Sequence, residues 1–241
     1  MLPGRNLMLF IFQRSCLSVP LSHLLNLSEA HSATFLSPPN LISTNITVTW
    51  INFMGRGMSI LNVIKMSKAY NFHRYGQGLG RVQGVGYINE LLARLAETPV
   101  RDNTQTNRTL DASPETFPLN RTIYADFSHD NQMIAIYAAM GLFRQVEALD
   151  PCHPDQKRTW VTSQLTPFSG RMVVERLTCT GAYRARPADS GTFVRILVND
   201  ALQPLQFCEA SPDGLCTLDA FVESQSFARN DGEGDFEKCF D

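Results

Sequence analysis

The chain is short of acidic residues where it begins. Residues 1 to 81 hold seven Lys or Arg but a single acidic side chain, Glu29, a net charge of +6, whereas residues 82 to 241 hold 14 basic and 22 acidic residues, a net −8. Such a break marks two stretches of different character. Over all 241 residues the net charge is −2. The basic excess that phosphate-backbone contacts need is therefore missing, and no nucleic-acid partner is expected. Long apolar runs are lacking as well. Leu7 to Phe12, behind Arg5, is interrupted by Gln13 and Arg14, far short of the roughly 20 residues of a membrane helix. No small-residue cleavage site follows, so the run makes a poor signal peptide, and no membrane partner is expected. The six cysteines, at 16, 152, 179, 208, 216 and 239, show no Cys-x-x-Cys spacing. That argues against a metal site and leaves disulfides as the better reading.

What is present suits a folded domain. Apolar residues make up 44% of the chain, enough for one large core or two small ones. From Val85, apolar residues at 88, 91, 92 and 95 keep helical spacing until Thr98-Pro99 stops them, which predicts a helix over Gly86 to Glu97 with Glu90 and Arg94 placed to pair at i,i+4. The glycines at 76, 78, 80, 84 and 86 lack the spacing of a phosphate-binding loop and read as an entry into that helix. Residues 34 to 75 offer a β-like patch at Asn45 to Ile51 and no chemistry. Sequons begin at Asn26, Asn45, Asn107 and Asn120; the last two lie in a polar stretch that reads as a surface loop, and together with the cysteines they suggest a secreted glycoprotein.

The informative stretch is Ile123 to Leu142. Ile123 to Phe127 is short, β-branched and aromatic, and reads as a buried strand. Ser128, His129 and Asp130 follow, and then apolar residues at 133, 134, 136, 137 and 140 fit a helix that Gly141 would end in a left-handed cap, with Asp130 or Asn131 as amino-terminal cap. Ligands of open α/β sheets bind at strand carboxyl ends beside helix N–H groups. Taken alone, the same residues are explained as a capped helix start with a loop histidine.

Downstream, Met172 to Cys179 and Phe193 to Asn199 read as strands, Asn199-Asp200 as a turn, and Leu202 to Phe207 as an edge strand carrying Pro204. Thr217 can cap a helix from Leu218 to about Phe227. Pro212-Asp213-Gly214 is a turn that lets Cys208 and Cys216 meet.

These residues resemble a known family, the histidine acid phosphatases, and within it the fungal phytases. Tyr124-Ala125-Asp126-Phe127-Ser128-His129-Asp130-Asn131 resembles their His-Asp signature with its flanks. Gln83-Gly84-Val85-Gly86-Tyr87, Asn89-Glu90-Leu91, Ala93-Arg94-Leu95, Thr116 to Asn120, Pro167-Phe168, Arg171, Glu175, Leu197 to Asp200, Pro204-Leu205, Gly214, Cys216, Ser226 to Arg229 and Cys239-Phe240 match in the family's order. The resemblance covers residues 76 to 240. It implies an α/β fold, part of a histidine-phosphatase-like mixed sheet with flanking helices, with the amino-terminal half missing. Residues 1 to 75 would then be an unrelated or mispredicted segment, poorly ordered, and 76 to 241 the carboxyl-terminal part of the phosphatase domain.

The resemblance also implies chemistry. In the family a histidine attacks phosphorus to form a phosphohistidine, arginines hold the phosphoryl oxygens, and the aspartate of the His-Asp pair protonates the leaving alcohol. By carry-over Asp130 is the proton donor and His129 a phosphate contact, with no cofactor, no metal, and a phosphomonoester such as phytate as substrate. The nucleophile motif Arg-His-Gly-x-Arg-x-Pro does not occur in this sequence, and His73-Arg74 lacks the glycine and second arginine. The chain is therefore expected to be inactive. The alternative is a non-catalytic secreted remnant that binds phosphate or a partner. In the family the cysteines matching Cys208 and Cys216 pair with each other, and those matching Cys179 and Cys239 pair with partners in the other half. The pairing of Cys16, Cys152, Cys179 and Cys239 stays open.

Overall fold

The computed structural model describes residues 7–15, 79–145, 155, 157–179 and 191–240. In chain order these form strand β1 (Leu7–Ser15), helix α1 (Val85–Ala96), a single turn α2 (Arg108–Asp111), strand β2 (Ile123–Ser128) and helix α3 (Asp130–Met140). A short α4 (Thr162–Leu165), the hairpin strands β3 (Arg171–Cys179) and β4 (Gly191–Val198), and the two-residue strands β5 (Ala201–Leu202) and β6 (Cys216–Thr217) follow. Two short helices, α5 (Leu218–Ser224) and α6 (Ser226–Arg229), complete the set.

The sheet is mixed, with strand order β2-β1-β3-β4-β5 and β6 beside β4. β1 runs antiparallel to β2, with Leu7 opposite Ser128, and parallel to β3, with Met8 opposite Arg171. Sequence pattern assigned no element to Leu7–Ser15; the structure sets it between the two strands that follow it much later in the chain. The Asn45 to Ile51 patch lies outside the described residues.

One face of the sheet carries the core. Tyr124, Met172, Val174, Val194, Ile196 and Val198 are buried and pack with apolar residues of α1 and α3. The eight consecutive residues Met133 to Met140 are all buried, so α3 is a core helix and not merely one with a wide apolar face. Its close fit against the entry to α1 depends on Gly84: a Cβ there would lie 2.5 Å from the Ala135 carbonyl oxygen and 2.8 Å from the Ala139 Cβ. Gly141 ends α3 at φ 92°, the left-handed cap expected. α1 spans Val85–Ala96 with Glu97 as its cap, one residue earlier than predicted at each end.

Four expectations need correction. β2 is a strand, but it is not buried: Tyr124 is covered while Ile123 and Phe127 are 57% and 70% exposed, because in strand order β2 lies at the end of the sheet. The cap of α3 is His129, at extended backbone angles and without a side-chain hydrogen bond, not Asp130 or Asn131. The edge strand shrinks to Ala201–Leu202, since Pro204 offers no N–H to a ladder and the chain turns into a 3-10 segment at Gln206–Cys208. The helix after Thr217 is capped by the Thr217 hydroxyl, which accepts from the Ala220 N–H at 3.2 Å, but it breaks at Gln225 into α5 and α6. The Asn199-Asp200 turn is confirmed, with φ of 50° and 67°, the two left-handed positions that a tight hairpin with this twist requires.

Cys208 and Cys216 form a disulfide, with Cα atoms 6.1 Å apart; closing so short a loop contributes roughly 2 to 3 kcal/mol. Cys179 is also disulfide-bonded, to a partner outside the described residues, while Cys239 is free and exposed.

Candidate functional site

His129 and Asp130 sit where β2 hands over to α3. His129 is exposed and its carbonyl accepts the Met133 N–H at 2.9 Å. Asp130 is half-buried, and its Oδ1 accepts the Asn131 N–H at 3.0 Å. Among the described residues His129 is the sole histidine. The first turn of an eleven-residue helix lies next to both side chains, and a helix amino terminus favours an anionic group.

The strand that carries this pair is tied to α1 through Asp126. Tyr87 donates its hydroxyl to Asp126 Oδ2 at 3.3 Å, and Arg94 Nη1 reaches the same oxygen at 2.6 Å. The Arg94 guanidinium also lies over the rings of Phe117 and Tyr124, at 4.7 and 5.1 Å, a placement worth more for a largely covered cation than for an exposed one. Burial, reinforced by the neighbouring Asp126, pushes the Tyr87 hydroxyl well above its ordinary range, so it stays a donor. The expected Glu90–Arg94 pair is not what forms, because Arg94 turns to Asp126.

Glu90 is left among carboxylates. Burial, and the charges of Asp111, Asp126 and Asp102 against the single favourable Arg94, push it from 4.5 up to about 7. The folded chain then holds the Glu90 proton more tightly than the unfolded chain does. Its contribution is intact below about 4.5 and is lost as pH rises through 7. Screening at a partly exposed site reduces the effect to about 1 to 2 kcal/mol. Denaturant titrations from pH 4.5 to 8 are expected to show that fall in the wild-type chain and a flatter profile in Glu90→Gln; parallel profiles would contradict the assignment.

Several residues singled out by resemblance have structural tasks. Arg171 forms a two-pronged ion pair with Asp200 across the mouth of the β3–β4 hairpin, and its N–H donates to Asn199 Oδ1 at 2.9 Å. Asn199 Nδ2 in turn donates to the carbonyls of Gln164 and Leu165 at 2.7 and 3.2 Å, fixing α4 against the hairpin. Glu175, buried on β3, pairs with Arg195 directly opposite on β4. Asn89 donates to Asp102 at 2.7 Å and to the Ala228 carbonyl at 3.0 Å.

Asp102 lies in the polar connection between α1 and α2. It is 8% exposed and accepts the N–H groups of Thr104, Gln105 and Thr106 at 3.0 to 3.1 Å as well as the Thr104 hydroxyl at 2.8 Å. Burial opposes its charge, but the bonds from Asn89, Thr106 and Thr104 outweigh it and hold the carboxyl below its ordinary value. An Asp followed by Asn-Thr-Gln-Thr is the signal that could have found it, since such a side chain folds back on its own backbone.

Of the sequon residues, Asn107 and Asn120 lie among the described residues, and both are exposed. Asn107 caps α2 through its Oδ1, which accepts from Thr109 and Leu110 at 3.1 and 3.3 Å, an arrangement that uses the oxygen and not the Nδ2 to which a glycan attaches.

A mixed sheet with helices packed on it and a His-Asp pair at a strand end defines an α/β phosphatase-like architecture, and the family model of the histidine phosphatase superfamily (branch 2) matches residues 28–199. The chain belongs to that superfamily. The match begins upstream of residue 76, where the resembling motifs start. Among curated relatives, Phytase A of Aspergillus oryzae is 42% identical over 174 residues, covering 70% of this chain and 35% of the relative. Phytase A of Emericella nidulans is 44% identical over 174 residues, with coverage of 70% and 35%. Phytase A of Neurospora crassa is 42% identical over 196 residues, with coverage of 70% and 38%. The chain thus spans little more than a third of the length of these relatives. A solved phytase from D. castellii aligns with 66% of this chain and 29% of its own, at 20% identity and a TM-score of 0.48. No helix among the described residues is long and apolar enough to cross a membrane.

Proposed function

We propose that this chain carries the acid half of a phosphomonoesterase site of the phytase kind, Asp130 as proton donor to the leaving alcohol and His129 as a phosphate contact, and that the 241 residues alone do not hydrolyse phosphate esters. An alkoxide leaves poorly without an acid, and a carboxyl group beside a phosphate-contacting imidazole supplies one. The observation that carries the reading of inactivity is the strand beside β2. It is Leu7–Ser15, Leu-Met-Leu-Phe-Ile-Phe-Gln-Arg-Ser, and it contains no histidine. With no Arg-His-Gly-x-Arg-x-Pro anywhere in the sequence, the acid has no phosphohistidine to help form, and loss of a nucleophile from a coupled set removes nearly all activity.

Secretion and glycosylation at Asn107 and Asn120 belong to the same reading, supported by the exposed sequons and the disulfides. The purified chain is expected to show no turnover of phytate or p-nitrophenyl phosphate above buffer. Turnover that disappears in Asp130→Asn would overturn the reading. A second reading, a remnant that binds phosphate without turning it over, is favoured by the exposed His129 at a helix amino terminus; calorimetry with inorganic phosphate that gives the same heat in wild type and His129→Ala would remove it.

A further inference from the structure

The polar segment from Asp102 to Phe117 is laid along α1 and meets it at three places. Asp102 accepts from Asn89 at 2.7 Å. Nearer the start of the helix the segment presses on Gly86, where a Cβ would stand 3.2 Å from both the Gln105 Cβ and the Thr106 Cγ2. At the far end, the Arg94 guanidinium lies over the Phe117 ring, 4.7 Å from its centroid. Glu90 stands between these attachments, one turn after Gly86 and one before Arg94 on the same side of α1. The stretch of the segment between its attachments at Thr106 and Phe117 contains α2, which ends at Asp111.

Asp111 lacks a donor. Its Oδ2 is shielded from solvent and accepts no hydrogen bond, a costly state for a carboxylate oxygen. Its charge is also the strongest one acting on Glu90, ahead of Arg94 one turn away on the same helix, so the two carboxyl groups stand close together across α1 and α2. The groups around them are already committed. Arg94 reaches Asp126 Oδ2 at 2.6 Å, Tyr87 gives its hydroxyl to the same oxygen, and Asp102 is met by Asn89 and by the N–H groups of its own loop. What is left to fill the place at Asp111 Oδ2 is a proton carried by Glu90. Two neighbouring carboxyl groups with a single proton between them satisfy each other, whereas two carboxylates at the same distance repel.

We propose that Glu90 and Asp111 share one proton, Glu90 donating to Asp111 Oδ2, and that this bond latches α2 onto α1 in acid and releases it when the proton leaves toward neutral pH. The groups that face Glu90 are Asp111 from α2, Asp126 from β2, Asp102 from the connection, and Arg94 and Tyr87 from α1 itself. Only Arg94 favours the charged form, and it is turned to Asp126. The latch does not rest on the phosphomonoesterase reading. It is tested by carbon NMR of the carboxyl groups of the full chain, titrated from about pH 4.5 to 8.5. The Glu90 signal is expected to move with a midpoint of about 7, and the Asp111 signal to move at that same midpoint as it loses its donor. Asp111→Asn removes the strongest opposing charge and is expected to lower the Glu90 midpoint by about one pH unit or more. Hydrogen exchange reads the latch itself, at the Asp111 and Ala112 N–H groups that donate within α2 to the Asn107 and Arg108 carbonyls at 2.9 and 3.1 Å. At about pH 8 these are expected to exchange about tenfold faster in wild type than in Glu90→Gln, whose amide keeps a donor beside Asp111, and at about pH 5 equally fast. An Asp111 signal that stays still while Glu90 titrates overturns the proposal. So does a Glu90 midpoint that Asp111→Asn leaves in place, or α2 exchange that is the same in wild type and Glu90→Gln at both pH values.

Discussion

A Gly84→Val chain is expected to be roughly 3 kcal/mol or more less stable than wild type, losing much of its cooperative melt in circular dichroism. Cost on this scale follows from what the added atoms meet. A Cβ alone would stand 2.5 Å from the Ala135 oxygen, 2.8 Å from its carbonyl carbon and 2.8 Å from the Ala139 Cβ. Two of these are backbone atoms in the middle of a buried helix, and they cannot rotate away. Overpacking of a dense core typically costs 1 to 3 kcal/mol when side chains can yield; here the helix itself must shift. Because α3 begins at Asp130, its displacement would move the proposed proton donor as well. Gly84→Ala, which adds the Cβ alone, is expected to fall between the two. A valine chain that melts within a degree of wild type would show that α3 is not seated as described.

Asp102→Ala is expected to cost about 3 kcal/mol, read from denaturant midpoints, although the residue touches neither the His-Asp pair nor the sheet. Most of the loss falls on Asn89, 4% exposed, whose amide would keep only the Ala228 carbonyl, while the N–H groups of Thr104, Gln105 and Thr106 lose a shared acceptor. Asp102→Asn retains an acceptor and is expected to recover about half. The carboxyl lies below its ordinary value of 3.8 in the folded chain, so its contribution is present above that value and disappears only as pH falls through the lowered one. This is the opposite sign to Glu90, whose contribution fades toward neutral pH. A chain whose stability is unchanged in Asp102→Ala would mean that water replaces the carboxylate without loss.

The sequence made legible those parts that local pattern governs. The apolar spacing of α1, the passage from strand to helix at Ser128, the cap at Gly141 and the Asn199-Asp200 turn each depend on a few neighbouring residues, and each was found nearly in place. Resemblance supplied the family and agreed with the Cys208–Cys216 bridge, which the Pro212-Asp213-Gly214 turn between the two cysteines already suggests. The misses are the features that depend on distant partners. Ile123 and Phe127 have the composition of a buried strand and stand exposed, since burial is set by what packs on a strand and not by the strand. Arg94 has a carboxylate one turn away on its own helix and bonds instead to one on β2. At Asp102 the local fold-back onto Thr104 to Thr106 is written in the sequence, but its bond to Asn89 on α1 is not. The candidate site shows the same division: the motif singles out His129 and Asp130 as a proposal, whereas the clamp of Tyr87 and Arg94 on Asp126 is visible only in three dimensions.

The place of β1 has a consequence for how the chain comes together. Leu7–Ser15 is made before both of its neighbours, Ile123–Ser128 and Arg171–Cys179, each more than a hundred residues later. During synthesis that strand has neither partner until residue 128 has been added, and its second edge must wait until residue 178. Pairings of such wide separation close slowly, and an unpaired apolar strand held open that long is a template for other chains. The hairpin of β3 and β4 can zip by itself, whereas the strand bearing the His-Asp pair joins the sheet only when Leu7–Ser15 finds its slot.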